Sequence, residues 1–357
     1  MKRYMKTIVV ILMALMLALG TMACTSSETA QTESEATQEP AATEEPAAET
    51  ETETDATVEE SFLPEGYVPG DILISSGPAG GNWNAMGASF SEAITRAGGK
   101  ASYVVGGGTQ NVIAVGDGAA TVAFCNLFAM LSAYNGDDPY TRQYTDVVTL
   151  MALDTNLIYL LVPANSDITG VADLEGKTVA VSSVGTTAYT CAMNVLTAAG
   201  LDPENDLTIR PGSMSEGADL MKDRLIDAFL IMTGVTNSTI MDICTSLDVK
   251  ILDIDDTILQ NLLDMNPGYH TFTLPADSFN GQTEDVNTIA SDAALICSAS
   301  MSDEDAYWIT KAIVENFDYI QSANAWLSNC TVESMSDTGN ITMHPGAIQY
   351  FSEVLGD

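Results

Sequence analysis

The stretch ILISSGPAGGNWNAMGASF, residues 72–90, decides the fold. A β-branched run at 72–76 meets a glycine-rich turn, Gly77, Gly80 and Gly81, and a helical pattern follows at once. Strand, glycine loop and helix start make a ready anion site, because unpaired backbone N–H groups and the helix dipole point at one spot. A nucleotide phosphate fits poorly. The loop lacks the lysine of GxxxxGKS/T, and its glycines, at positions 1, 4 and 5, miss GxGxxG. A carboxylate held by the same backbone groups fits better.

Outward from this stretch the pattern alternates. A helix is expected over 84–97, with Met86, Phe90, Ala93, Ile94 and Ala97 on one face, stopped by Gly98 and Gly99. Strands are expected at 101–105 and 121–125. Between them lies a short helix capped by Thr109 or Asn111, and after them a helix at 127–134. Two near-continuous apolar runs, 147–152 and 158–162, read as separate buried strands, the second ended by Pro163. The cycle then restarts: a short helix at 171–174, a strand at 178–181, a small-residue loop at 182–187 and a helix at 188–199. A strand at 207–209, a helix at 218–224 and a strand at 228–231 complete a second β-α-β set. A strand at 287–298 leads back to the first set, and a helical region at 303–320 follows. Such an order means parallel strands with helices on the sheet faces. The expected fold class is α/β, with two lobes joined by hinge strands and a cleft between them. Ligands of open α/β sheets bind beyond the carboxyl ends of the strands.

The ends bound the setting. Residues 1–24 have a basic start (Lys2, Arg3, Lys6), an apolar run at 8–19 and small residues leading to Cys24, the features of a signal peptide. Residues 25–61 are Ser, Thr, Ala, Pro, Gln and Glu with almost nothing apolar, so they are expected to form a disordered acidic linker. Two lobes are expected in the remainder: 62–154 with 294–357 as lobe I, and 155–293 as lobe II. The formal net charge of −37 argues against nucleic acid, whose phosphates would be repelled.

Side-chain chemistry gives little support for an enzyme. Beyond Cys24, the cysteines 125, 191, 244, 297 and 330 are far apart, odd in number and without a CxxC pair, so no metal site or cofactor is expected. Cys125 and Cys297 sit in apolar runs and read as small buried hydrophobes. The only histidines are His270 and His344, and no GxSxG elbow occurs. His344 precedes Pro345, which suits a helix start. Arg142 and Arg210 are the cations nearest the expected cleft by lobe.

The order of motifs resembles the TAXI family, the solute-binding proteins of TRAP (tripartite ATP-independent periplasmic) transporters. SSGPAGGNWNAMG is similar to that family's first loop, and ADLEGKTVAVSSVGTTAYTCAMNVLTAAGL to its central strand–loop–helix unit. VNTIASDAALICSASMSDEDAYWITKAIVEN resembles the return strand with its helix, and ITMHPGAIQYFSEVLG the C-terminal HPGA segment. The resemblance covers about residues 70–357. It implies a type II periplasmic-binding-protein fold and capture of a small acidic solute, such as glutamate, a dicarboxylate or an oxo acid, for a membrane permease. Carried onto this sequence, the implied ligand positions are Gly80, Gly81, Asn82, Trp83, Asn84, Gln110, Asn111, Asn126, Gly185, Thr186, Thr187 and Gly234. The sequence departs from the family where Trp83-Asn84 replaces two aromatics, Gln110 replaces Glu, Phe128 replaces an acidic residue and Ala188 lacks a hydroxyl. Cys24 resembles the lipidated cysteine of bacterial lipoproteins, with Thr21 in place of the usual Leu.

The functional expectation is a monomeric, extracytoplasmic lipoprotein held on the outer face of the cytoplasmic membrane (or periplasmic). It would bind a small anionic solute and dock on TRAP membrane subunits. A surface-tethered sensing module reporting to a receptor is the alternative. An acidic protein that binds an acid works against its own field, but at physiological salt the Debye length is about 8 Å and remote charges are largely screened.

Overall fold

The computed structural model describes residues 63–79 and 81–356. The expected signal peptide, Cys24, the acidic linker and Gly80 lie outside the described residues.

The first strand, β1 (Ile72–Ser75), leads through the glycine loop into α1 (Asn82–Arg96). β2 (Ala101–Val104), α2 (Gly108–Gly116), β3 (Val122–Asn126) and α3 (Leu127–Asn135) follow. Then comes β4 (Val147–Pro163), a single strand of 17 residues rather than the two runs expected. The polar triplet Asp154-Thr155-Asn156 breaks the apolar pattern without breaking the strand, because it pairs on both sides: Asn156 lies opposite Ser291 and Gly234.

After a 3₁₀ turn at Val171–Leu174, β5 (Thr178–Ser182) and α4 (Thr187–Ala198) open the second set. β6 (Thr208–Gly212), α5 (Met214–Lys222), β7 (Ala228–Gly234), α6 (Ser238–Ser246), β8 (Val249–Leu252), α7 (Asp256–Met265) and β9 (His270–Leu274) continue it. The long β10 (Val286–Ser298) returns to the first set. The expected helical region at 303–320 is two helices, α8 (Asp303–Val314) and α9 (Phe317–Ala323), and α10 (Val332–Ser336) and α11 (Pro345–Leu355) end the chain.

The strands form one sheet in the order β2-β1-β3-β10-β4-β7-β5-β6, with β8 on β4 and β9 on β10. β1 is parallel to β2 and β3, and β5 is parallel to β6 and β7. The antiparallel pair β4 and β10 runs through both sets, so each parallel trio flanks one end of the same two strands. The β4–β10 register shifts between Asp292 and Ala294, where the halves meet.

Strand alternation sends successive side chains to opposite faces, and the two faces are built differently. On one face a single apolar core runs across both halves. It joins Val112, Val115, Phe128 and Met130 to Cys191, Val195, Leu262 and Tyr269. On the other face the core is divided. Trp83, Phe90, Leu150, Leu295, Ile309 and Phe351 form a cluster in the first half, and Tyr159, Phe229, Ile231, Ile240 and Phe279 form another in the second.

Local caps follow the sequence in places and depart from it in others. His344 caps α11, with its ring Nδ1 accepting from the Gly346 N–H at 3.2 Å and its Nε2 lying 3.0 Å from the Met301 carbonyl oxygen. Neither Thr109 nor Asn111 caps α2: both lie inside the helix, whose cap is Gly107. The five cysteines among the described residues are free and buried. Burial pushes the Cys191 thiol up to about 12, which leaves it unreactive.

Candidate functional site

A cleft partly open to solvent, with about 620 Å³ of empty space when the open solvent at its mouth is included, lies where the carboxyl ends of β1, β3, β5, β6 and β7 converge. β1, β3, β5 and β6 each deliver the chain to a helix start on the wall, as does β2 through Gly108, while β7 contributes Met232 and Thr233 from its own carboxyl end. Gly81, Asn82 and Trp83 come from α1, Gly108 from α2 and the N-cap Asn126 from α3. Thr186, Thr187 and Ala188 open α4, and Ser213 and Met214 open α5. The first turn of a helix has N–H groups without intrahelical acceptors and carries roughly half a positive charge. Five such ends face one space, and no Asp, Glu, Lys, Arg or His lines it among the described residues.

The glycine loop is shaped by close packing. A Cβ on Gly77 would sit 2.6 Å from Cβ of Trp83, so a side chain there would displace the helix start. Trp83 is nine-tenths buried, tilted against Phe124 at 6.1 Å, and its other side borders the cavity. Asn84 does not line the cavity. It braces the loop through a 3.4 Å bond from Nδ2 to the Gly77 carbonyl.

Asn111 is fully buried beneath the site rather than on its wall. Its Nδ2 donates to the carbonyls of Ser75, Ser76 and Phe124, and its Oδ1 accepts from Ser75 Oγ and the Gly107 N–H. That amide has no capacity left for a solute. It ties β1, β3 and α2 together, and the Gly106 approach it governs is so tight that a Cβ would fall 2.3 Å from Asn111 Oδ1. Gln110 is exposed and lies over Gly185, and its N–H donates to the Gly185 carbonyl at 3.3 Å. Gly185 has φ of +87°, which favours glycine, and a Cβ there would meet Gln110 Nε2 at 2.5 Å. Gln110 and Gly185 thus form a contact between the halves beside the cavity.

Thr186 is the N-cap of α4: its Oγ1 accepts from the Tyr189 N–H at 3.1 Å and donates to the Ser183 carbonyl at 2.8 Å. Thr187 is buried on the wall, and its hydroxyl makes no hydrogen bond to the described residues. Asn126 donates to the Ser291 carbonyl at 3.2 Å. Gly234 lies behind the wall. A Cβ there would meet Asn82 Nδ2 at 2.9 Å and the Trp326 ring at 3.1 Å, and the neighbouring Met232 and Thr233 face the cavity. Arg142 is engaged with Asp117 and Asp146 over the Tyr144 ring, and Arg210 is exposed on the edge strand β6; neither lines the cavity.

Sequence reasoning missed Asn156, Ser182, Ser183, Ser213 and Thr233 on the wall. Ser213 carried a usable signal: Ser213-x-x-Glu216 is a capping box, and both of its hydrogen bonds form. Asn156 carried a weaker one, an amide within an otherwise apolar run. Phe128, which stands where the resemblance suggests an acid, is turned away from the cavity into the continuous core and stacks on Tyr269 at 4.5 Å.

Beside the hinge strands, Asp154 has its pKa raised by burial first and by the charge of Asp292 second. One of its carboxylate oxygens is buried without a partner among the described residues. Among the described residues, no group of three or more His, Cys, Asp or Glu is placed to hold a metal ion.

Residues 74–354 match the NMT1-like family, and the chain belongs to it. In fold it resembles a protein of Bordetella bronchiseptica RB50 (15 % identity, covering 81 % of this chain and 99 % of that one, TM-score 0.51). It also matches the periplasmic aliphatic sulphonate binding protein SsuA of Escherichia coli (15 %, 80 % and 83 %, TM-score 0.42). A third match is MatC of Rhodopseudomonas palustris with bound malate (13 %, 73 % and 88 %, TM-score 0.47). At such identities the likeness concerns the fold, a mixed α/β architecture.

Proposed function

We propose that this chain is an extracytoplasmic solute-binding protein that captures a small acidic solute (glutamate, a dicarboxylate or an oxo acid) and delivers it to a TRAP-type permease. The observation that carries the reading is the meeting of five helix N-termini on a cavity wall without charged side chains. Neutral donors and dipole ends favour a carboxylate there, and a closed wall strengthens them by excluding water.

In this reading the wall residues Gly81, Asn82, Trp83, Asn126, Thr186 and Thr187 touch the solute. Asn84, Gln110, Asn111, Gly185 and Gly234 shape or close the site from behind, and Gly80 belongs to the same loop. Residues 62–154 with 294–357 act as one lobe and 155–293 as the other, turning about β4 and β10. A solute that contacts both lobes favours the closed form by its differential affinity. Lipidation of Cys24 and the acidic stretch 25–61 would tether the monomer to the outer face of the membrane.

A thermal-shift series on the purified protein tests the reading, with L-glutamate, succinate, malate and 2-oxoglutarate against sugars, nucleotides and cationic amines. A ligand at 100 times its dissociation constant adds about 2.7 kcal/mol of stability. Stabilisation by an acid supports the proposal; response only to a neutral or cationic compound refutes the acidic solute. Docking is tested separately, by solute uptake into vesicles holding the TRAP membrane subunits with and without the protein.

A further inference from the structure

Asn237 is almost fully buried, does not line the cavity, and yet sets the polarity of two side chains that do. Its Oδ1 caps α6, accepting the N–H groups of Thr239 at 2.9 Å and Ile240 at 3.2 Å. Two backbone donors on one oxygen fix the orientation of the amide, since the flipped form would oppose NH₂ to N–H. Nδ2 therefore faces the other way, donating to Asn82 Oδ1 at 2.9 Å and to Thr233 Oγ1 at 3.1 Å. Asn82 belongs to the first half and Thr233 to the second, so one amide joins the two walls across the divided face.

The consequence reaches both partners. Asn82 must turn its oxygen to Asn237, which leaves Nδ2 as the free end of its amide. That nitrogen is buried beside Gly234 and has no partner among the described residues. The Thr233 hydroxyl oxygen accepts a hydrogen bond from Asn237, so its own hydroxyl hydrogen is left to donate elsewhere. Both wall groups are thereby made donors. An orphaned buried donor is costly unless something accepts from it, and a carboxylate in the cavity is an acceptor.

We infer that Asn237 is a positioning residue that commits the cavity to ligands rich in acceptors, anions above all, by fixing Asn82 and Thr233 as donors. The inference rests on the solute-binding reading for its ligand, but not for its geometry.

Asn237→Asp tests it, because the substitution keeps the cap and inverts the network. A carboxylate still accepts from Thr239 and Ile240, and the helix N-terminus holds it ionised. It can only accept from Asn82 and Thr233 as well, so the Asn82 amide must flip and present its oxygen, and Thr233 must spend its proton. At pH 8 the side-chain amide proton resonances of Asn82 in the ligand-free protein should move downfield as Nδ2 begins to donate to a carboxylate. Affinity for whichever of 2-oxoglutarate, malate, succinate or L-glutamate binds the unsubstituted protein should fall at least about 10-fold. The unfolding midpoint should stay near that of the unsubstituted protein. Asn237→Ser, which retains a capping oxygen and replaces the two amide N–H donors with a single shorter hydroxyl, should weaken affinity by less. An Asn82 resonance that does not move, or an unchanged affinity in Asn237→Asp, overturns the inference. If the resonance moves but no acid binds the unsubstituted protein, the positioning stands and the acidic-solute reading falls.

Discussion

The two faces of the sheet hold the halves of this molecule together by opposite means. On one face α2, α3, α4 and α7 share an uninterrupted apolar core. The Asn266 amide there donates to the Phe128 carbonyl at 2.9 Å and to Ser132 Oγ at 3.0 Å, and Asn194 donates to the Tyr269 hydroxyl at 2.9 Å. On the other face the apolar clusters stop short of each other, and the gap is filled by Asn82, Asn156, Thr233 and Asn237. Apolar burial is non-directional and is lost in proportion to area when halves part. Polar groups across a seam exchange their partners for water at small net cost. In the proposed two-lobe reading, the continuous face would be the pivot and the divided face the opening.

The largest effect should come from cutting the pivot. Phe128→Ala should cost about 3–5 kcal/mol, and amide exchange should rise on both sides of the sheet. Phe90→Ala, equally buried but confined to the first half of the divided face, should cost a similar amount while leaving protection in α4 and α7 unchanged. Equal loosening of both halves by the two substitutions would break the comparison. Trp83→Ala belongs in this class as well, since the ring is core as much as wall, and its stability cost will accompany any loss of binding.

A smaller, cleaner effect is expected at the wall. Thr187→Val keeps the shape and removes a hydroxyl that has no partner within the described residues, so affinity for an acid should fall several-fold with stability nearly unchanged. Thr186→Ala should in addition lose its cap, about 1 kcal/mol. Calorimetric titration beside thermal unfolding separates the two.

The smallest effect is one of pH. The folded pKa of Asp154 is raised by burial and by Asp292. The native state therefore binds more protons than the unfolded one between the ordinary value of 3.8 and the raised value. Stability must fall as pH rises through that window. Asp154→Asn should flatten this slope, and urea midpoints measured across the acid range would show it.

Much of this was legible in the sequence, for identifiable reasons. The alternation from 72 to 135 has strong punctuation: the pair Gly98-Gly99 ends α1, the triplet Gly106-Gly107-Gly108 follows β2, and Gly136, with φ of +73°, ends α3. The HPGA segment told of a helix start, and His344 caps it. Less was legible where short elements mix polar and apolar residues, as in α6, β8, α7 and β9. The unity of β4 was hidden because Asp154 and Asn156, on either side of Thr155, suit a loop by propensity and are held extended by partners distant in sequence. At the site, glycine loops and helix caps pointed toward the cavity. Asn126 and Asn111 are equally buried, and only the three-dimensional hydrogen bonding separates Asn126, which reaches the wall, from Asn111, whose amide is spent beneath it.

The central claim is that an acid closes the divided face about a fixed pivot. Spin labels at Thr95 in α1 and Thr245 in α6 span the opening, and labels at Asn135 in α3 and Gln260 in α7 span the pivot; all four positions are exposed. With the best-binding acid from the thermal-shift series, the first distance distribution should shorten and narrow while the second stays as it was. Equal change in both pairs, or no change across the divided face, would contradict the account.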